Sequence, residues 1–156
     1  MKWWITPAIN LVTGLVIARV TAVLTVKLAL KRFYSEKWWE RKSEAYGAII
    51  EALHHVREYA DTNFRFSLLG KELPPEGEKL LIENLKLAMA GLRKHRDIGS
   101  FVISGDAVTL LDKLFSELDA TTNTTSWHEH LDWKLAALDG CLPEMRRLAR
   151  EDLSLR

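Results

Sequence analysis

Cysteine, proline and glycine are scarce in this chain of 156 residues. The single cysteine, Cys141, cannot form an internal disulfide and has no histidines around it at zinc-site spacing, which excludes a disulfide-stapled secreted scaffold and a cysteine-rich metal site. Four prolines and eight glycines leave room for long helices. The sequence also lacks a G-x-S-x-G element, an HExxH motif and a glycine-rich phosphate loop, which argues against the common enzyme classes.

Acidic residues are missing from the first 32 positions, which carry five cations. The rest of the chain carries the other 17 cations and all 21 acids, so the two parts have net charges of +5 and −4. The apolar excess of the chain is also concentrated at its N-terminus. This distribution is typical of a basic membrane anchor in front of an acidic folded domain.

The N-terminal segment 3–30 has the length and apolarity of a membrane-spanning helix. It contains 28 residues, more than the ~20 that cross a hydrocarbon core, and its first 16 carry no formal charge. Arg19 lies ~24 Å along the axis from Trp3, within snorkelling reach of the far interface. We therefore predict a transmembrane helix over 3–30. A signal peptide would need a shorter apolar stretch and a small-residue cleavage site, and a surface helix would need a strongly charged face.

Basic and aromatic residues follow the span in a membrane-exit segment, 31–42. Because more cations follow the span than precede it, the positive-inside rule places the C-terminal domain in the cytoplasm and predicts a single-pass inner-membrane protein. Headgroup anchoring explains the basic residues of this segment better than nucleic-acid binding does, since acids interrupt the run and the domain behind it is acidic. The cations expected to contact lipid headgroups are Arg19, Lys27, Lys31, Arg32, Lys37, Arg41 and Lys42.

A helical wheel of the span shows two unlike faces, one aliphatic and one made of small and hydrogen-bonding residues. Gly14, Ala18 and Ala22 form a small-xxx-small series that lets helix backbones approach. The Asn10 amide would otherwise be unsatisfied in lipid. We expect this face to mediate self-association, and in a ring of spans it would line a water-filled pore. The face comprises Thr6, Asn10, Thr13, Gly14, Ala18, Thr21, Ala22 and Thr25.

Beyond the span, the apolar pattern predicts an all-α cytosolic bundle of about four helices over 36–156. A seven-residue recurrence predicts a first helix from about 36 to 65. The recurring residues are Trp39, Tyr46, Leu53 and Ala60. The proline- and glycine-rich run 67–78 is expected to be the loop after this helix.

Local signals mark the other three helices. The second is expected to end near Gly99, and Ser104 stands at the N-cap of the third. Ser126 and Glu129 form an S-x-x-E capping box that opens the fourth. Pro143 should kink that helix or divide it in two. Amphipathic helices with short connections predict a bundle large enough for its own core.

Histidines are the remaining candidates for chemistry, because several stand four residues from an acid on a predicted helix. His54 and His55 have such partners in Glu58 and Glu51. A second group consists of His128, His130 and Asp132. A metal site needs three or four converging ligands, so we predict solvated helix-face pairs, with no metal, no cofactor and no enzymatic activity. The role of the second group is left open.

The run KRFYSEKWWERKSEAYGAIIEALHHV, directly after the span, resembles small bacterial proteins with one N-terminal membrane helix and a helical cytosolic bundle. The likeness covers about residues 3–66. Some of these proteins are similar to the membrane accessory protein of type VI-B CRISPR systems, and that resemblance implies a membrane pore assembled during antiviral defence. The family is also discussed in terms of a HEPN-like Arg-x(4 to 6)-His motif. No arginine precedes a histidine at that spacing here, since Arg93 stands only two residues before His95.

These features predict a membrane protein that self-associates and forms a pore or membrane-perturbing complex in antiphage defence. The expected partners are the membrane and further copies of the chain. The alternative is a membrane tether whose cytosolic bundle recruits a soluble protein through aromatic residues such as Trp127 or Trp133. An enzyme with membrane substrates ranks third.

Overall fold

The computed structural model describes residues 5–99, 101–120 and 126–154, with side chains from residue 18 onward. All the secondary structure in these ranges is helical, which confirms the predicted all-α class. The helices are α1 (Ile5–Leu68), α2 (Pro75–Gly99), α3 (Gly105–Asp119) and α4 (Trp127–Ser154).

The chain divides into two compact units, residues 1–40 (unit 1) and residues 41–156 (unit 2). The described part of unit 1 belongs to α1 throughout. Unit 2 contains the remainder of α1 together with α2, α3 and α4, and it has a hydrophobic core of its own. The predicted helical bundle is therefore confirmed for unit 2.

The predicted transmembrane helix depends on residues that the structure describes only in part. Within the described part of the chain, no helix is both long and apolar enough to cross a membrane. Residues 3 and 4, and the side chains of residues 5–17, lie outside that part. The span over 3–30 stays a prediction.

The core of unit 2 accounts for most of the predicted seven-residue recurrence. Tyr46, Leu53 and Ala60 are buried in one cluster with side chains from α2, α3 and α4. Each large side chain buried in this way contributes about 1.5–3 kcal/mol. Trp39 departs from the pattern, because it belongs to unit 1 and is 40% exposed. The recurrence thus has its first core residue at Tyr46.

The connection between α1 and α2 is shorter than the loop predicted over 67–78. At the end of α1, Gly70 has a φ of 58°, and the backbone N–H of Lys71 donates to the Phe66 carbonyl at 3.1 Å. This Schellman arrangement favours glycine because other residues are strained at positive φ. Proline is tolerated at the first position of a helix, so α2 begins at Pro75 rather than beyond residue 78.

Local capping signals place the starts of α3 and α4 correctly. The Ser104 hydroxyl accepts a hydrogen bond from the Ala107 N–H at 3.3 Å, and the Ser126 hydroxyl accepts one from the Glu129 N–H at 3.2 Å. Pro143 does not divide α4, which is one helix from Trp127 to Ser154. Of the two outcomes expected at Pro143, division of the helix is therefore wrong, and a kink there stays a prediction.

A polar network joins three helices within unit 2, and we call it the Asp152 network (Lys42, Tyr46, Ser104 and Asp152). Lys42 Nζ lies 2.6 Å from Oδ1 of Asp152, and the Tyr46 hydroxyl donates to Oδ2 at 3.0 Å. The Ser104 N–H in turn donates to the Tyr46 oxygen at 3.1 Å. Burial, with a contribution from the neighbouring carboxylate, raises the pKa of Tyr46. These hydrogen bonds connect the beginning of the unit 2 part of α1 to α4 and to the start of α3.

Candidate functional site

In unit 1, the segment 18–40 of α1 is exposed to solvent along its whole length. Every side chain in this range is exposed. Six large aliphatic residues have about half or more of their side-chain surface exposed. They are Val20, Val23, Leu24, Val26, Leu28 and Leu30. Exposed aliphatic side chains in this number on one helix are typical of a membrane-contacting or protein-contacting segment.

The described part of the predicted small face lies on one side of this segment. Ala18, Thr21, Ala22 and Thr25 are all exposed, and at ~100° per residue they fall within one sector of the helix. The Thr25 hydroxyl donates to the Thr21 carbonyl at 2.8 Å, so its proton is satisfied within the helix, as is common for threonine in apolar surroundings. The other predicted members, Thr6, Asn10, Thr13 and Gly14, lie outside the described side chains.

Ala29 is a member of this face that the sequence analysis missed. It is exposed and stands four residues after Thr25, at the spacing that keeps side chains on one side of a helix. The signal was present in the sequence, because Ala29 lies within the predicted span 3–30 and continues the four-residue spacing of Ala18, Ala22 and Thr25 to within one residue.

The cations predicted to contact headgroups fall into two groups. Arg19, Lys27 and Lys31 are exposed. Arg32 and Lys37 are exposed as well, but they also form ion pairs along the helix with Glu36 at 2.9 Å and Glu40 at 2.6 Å. The hydrogen bond and charge of Lys37 hold the pKa of Glu40 below its usual range. Such exposed pairs contribute little to stability and leave the cations accessible to anions.

Lys42 differs from the other predicted headgroup cations. Its side chain is only 21% exposed, and its ammonium pairs with the Asp152 carboxylate inside unit 2. Lys42 therefore stabilises the fold of unit 2. A lipid headgroup would have to compete with the Asp152 carboxylate for the Lys42 ammonium. The sequence could not reveal this pairing, since Asp152 lies 110 residues further along the chain.

Four aromatic side chains follow the aliphatic stretch and are also exposed. They are Phe33, Tyr34, Trp38 and Trp39. At ~100° per residue they are distributed around the helix rather than gathered on one side. Aromatic residues on all sides of a helix suit passage through a lipid–water interface better than attachment along one face.

The histidines do not converge on a shared site. The His128 ring stacks on Phe64 with centroids 4.3 Å apart, whereas His130 lies 5.7 Å from the Trp127 ring. His55 pairs with Glu58 at 3.4 Å, a different partner from the one that the four-residue spacing predicted. Among the described residues, no three histidine, cysteine or acidic side chains are placed to share a metal ion.

A groove between α3 and α4 has a cavity volume of about 550 Å³, and two of the α4 residues that the sequence singled out line it. The half-buried Trp133 lines it, and so does Cys141, which is 4% exposed. Burial raises the pKa of the Cys141 thiol to about 11, and the nearby Glu117 carboxylate adds to this rise. The thiol is therefore protonated at neutral pH and is a poor nucleophile.

Cys141 should consequently resist alkylation in the folded protein. With native protein at pH 8, we expect iodoacetamide to modify Cys141 at least ten-fold more slowly than it modifies the denatured chain, as measured by intact mass. Because the folded pKa is raised, stability should be constant below the thiol's unfolded pKa of ~8.5 and fall as pH rises from there towards 11. Equal rates in native and denatured protein would contradict this placement of the thiol.

Comparisons of the chain with protein-family models, with curated proteins and with solved structures find no match. The likeness to the type VI-B accessory protein stays a prediction made from the residues. The proposals below depend on the exposed segment and on the packing of unit 2.

Proposed function

We propose that this chain is a single-pass inner-membrane protein that self-associates through its N-terminal helix and holds unit 2 in the cytoplasm. The observation that carries the proposal is the exposure of the whole segment 18–40, with its aliphatic stretch followed by aromatic and basic side chains. In this account lipid and neighbouring copies cover the surface that unit 1 leaves open.

The energetics favour lipid as the environment of the aliphatic side chains. Removing a large aliphatic side chain from water is worth about 1.5–3 kcal/mol, and unit 1 exposes six of them after residue 18. The opposing cost is Arg19, since a cation at the bilayer centre costs about 2.5–3.5 kcal/mol. Arg19 lies ~24 Å along the helix from Trp3, so in a hydrocarbon core of ~30 Å that begins at Trp3 its side chain can snorkel to the far interface, which reduces that cost. Lys27, Lys31 and Arg32 lie towards the headgroups in the same arrangement.

Self-association is expected to use the small face, because small side chains allow the close backbone approach on which helix pairing in lipid depends. Replacing Gly14, Ala18 and Ala22 together by leucine should reduce the oligomer in detergent to the monomer mass, as measured by light scattering. The matched control replaces Val16, Val20 and Val23, on the opposite face, by leucine and should leave the mass unchanged. An unaltered mass in the small-face variant would refute this interface.

The same face would line a pore in a ring of spans, which is the role expected of a membrane-perturbing protein in antiphage defence. Asn10→Leu and Thr13→Leu each remove a hydrogen-bonding group from that lining. We expect each substitution to lower dye or ion release from liposomes several-fold relative to wild type. If wild-type protein incorporated in liposomes releases neither dye nor ions, the pore is excluded while self-association is still open to test.

A tether that recruits a soluble protein is the second candidate function. It is favoured by Trp127, which is 55% exposed at the start of α4, because exposed aromatic residues commonly anchor protein interfaces. A tether would bind its partner equally well when the small face is substituted by leucine. Trp127→Ala would then abolish partner capture without changing the oligomer mass. In the pore account, by contrast, the small-face substitutions lower the oligomer mass and Trp127→Ala has no effect on it.

A further inference from the structure

A cavity between α1 and α2 in unit 2 combines an apolar lining with a basic rim. Its volume is about 330 Å³, at the lower end of the range of small-molecule sites. Alanine, isoleucine and valine side chains supply its apolar wall, and Gly99 also lines it. The charged and titratable residues around it are Arg41, Glu44, Lys94 and His95.

Within the described part of the chain, neither full cation at this cavity is held in an ion pair, whereas some other basic residues of unit 2 are. Arg57 pairs with Asp139, and Arg147 pairs with Glu144, in each case within 3 Å. Among the described residues, Arg41 and Lys94 form no ion pair of this kind. Glu44 is the one acid on the rim, so the rim carries a net positive charge with His95 neutral.

The pKa of the half-buried His95 is sensitive to the charges around this cavity. Burial, and then the positive charge of Lys94, hold the pKa of His95 below its ordinary value. The ring is therefore neutral at physiological pH, and it can offer one N–H to an acceptor in the cavity. An anion bound beside it would oppose the effect of the Lys94 charge and, by favouring the charged imidazolium, raise that pKa.

The surface next to the cavity is apolar. Ile98, which lines the cavity, is 50% exposed, and Phe101, beside the lining residue Val102, is 75% exposed. The ligand that matches these features has an apolar tail, which suits the lining, and an anionic head, which suits the rim. Along the chain, Arg41 stands two residues after Trp39, within the predicted membrane-exit segment 31–42, where lipids would be the available amphiphiles.

We propose that this cavity binds an anionic phospholipid, with one acyl chain in the apolar space and the phosphate held by Arg41 and Lys94. The guanidinium can bind two phosphate oxygens at once, and the ammonium adds a second charge. The choice of a lipid as ligand rests on the proposed membrane function, whereas the affinity for an anionic amphiphile rests on the cavity alone. The simpler role for Lys94 and His95, which stand near the C-terminus of α2, is to offset the helix dipole. That role involves no ligand.

The test uses full-length protein in dodecyl maltoside micelles, with the His95 ring followed by NMR and assigned by His95→Gln. Lysophosphatidylglycerol should shift the ring signals in a saturable way and raise the pKa of His95. Arg41→Gln and Lys94→Gln should each weaken binding about five-fold, the size of one cation's attraction to anionic lipid. Ala48→Leu, which fills the cavity, should weaken it at least as much. The matched control for the loss of a cation is Lys86→Gln, elsewhere on α2. The matched control for the added side-chain volume is Ala136→Leu, in the groove between α3 and α4.

Two other probes make the proposal falsifiable. An equal response to zwitterionic lysophosphatidylcholine would mean apolar partitioning only, and an equal response to inorganic phosphate would mean an adventitious ion only. Either result, or no shift with any probe, overturns the proposal. Because the micelle assay does not depend on insertion into a bilayer, its failure would leave the membrane proposal standing, and a failure of membrane insertion would leave this binding measurable.

Discussion

Replacing Leu53 by alanine is expected to destabilise unit 2 by about 2–5 kcal/mol, a large part of the total stability of a domain. The Leu53 side chain is 0% exposed and lies within the core cluster formed by all four helices. Its truncation loses the transfer free energy of the removed carbons and leaves a cavity that rigid helices fill only in part. Urea unfolding followed by circular dichroism gives the change in the free energy of unfolding.

Leu87→Ala provides the matched control for that substitution. Leu87 lies on α2 and is 73% exposed, so the same chemical change removes little buried surface. We expect a change within about 0.5 kcal/mol. Equal changes in the free energy of unfolding for the two substitutions would contradict the placement of Leu53 in the core and of Leu87 on the surface.

Replacing Asp152 by alanine should give the second large effect, about 1–3 kcal/mol. The carboxylate accepts hydrogen bonds from Lys42 and Tyr46, and its side chain is only 13% exposed. Without it a largely buried ammonium and hydroxyl lose their partner, and the bonds that hold the start of α1 in unit 2 are lost. Hydrogen exchange should show faster amide exchange around residues 42–46, in addition to the lower free energy of unfolding.

Asp132→Ala, on the same helix but exposed, is the control for the loss of one negative charge. We expect it to change the free energy of unfolding by no more than about 0.5 kcal/mol and to leave exchange around residues 42–46 as in wild type. Comparable effects from the two aspartates would show that net charge, rather than the Asp152 network, accounts for the loss.

Local signals in the sequence were sufficient for the starts of α3 and α4 and for much of the core. The hydroxyls of Ser104 and Ser126 each accept a hydrogen bond from the backbone N–H three residues later, so the local sequence is enough to predict their capping role. The recurrence that includes Tyr46 and Leu53 identified the buried side of α1 because a helix repeats its faces about every seven residues. The all-α class followed from these two kinds of evidence.

Features that depend on tertiary contacts could not be obtained in this way. The pairing of Lys42 with Asp152 joins distant parts of the chain, so the sequence suggested only a headgroup cation. The exposure of Trp39 and the continuity of α4 through Pro143 depend likewise on what surrounds them. The basic rim of the α1–α2 cavity was missed because Arg41 and Lys94 are far apart in the sequence and line one cavity only after the helices pack.

Membrane extraction tests the central claim most directly. Full-length protein is expressed in bacteria, the cells are lysed without detergent, and the membranes are washed with alkaline carbonate and sedimented by ultracentrifugation. The account predicts that the protein stays in the pellet and is released by dodecyl maltoside. Recovery of folded protein in the detergent-free supernatant would contradict it.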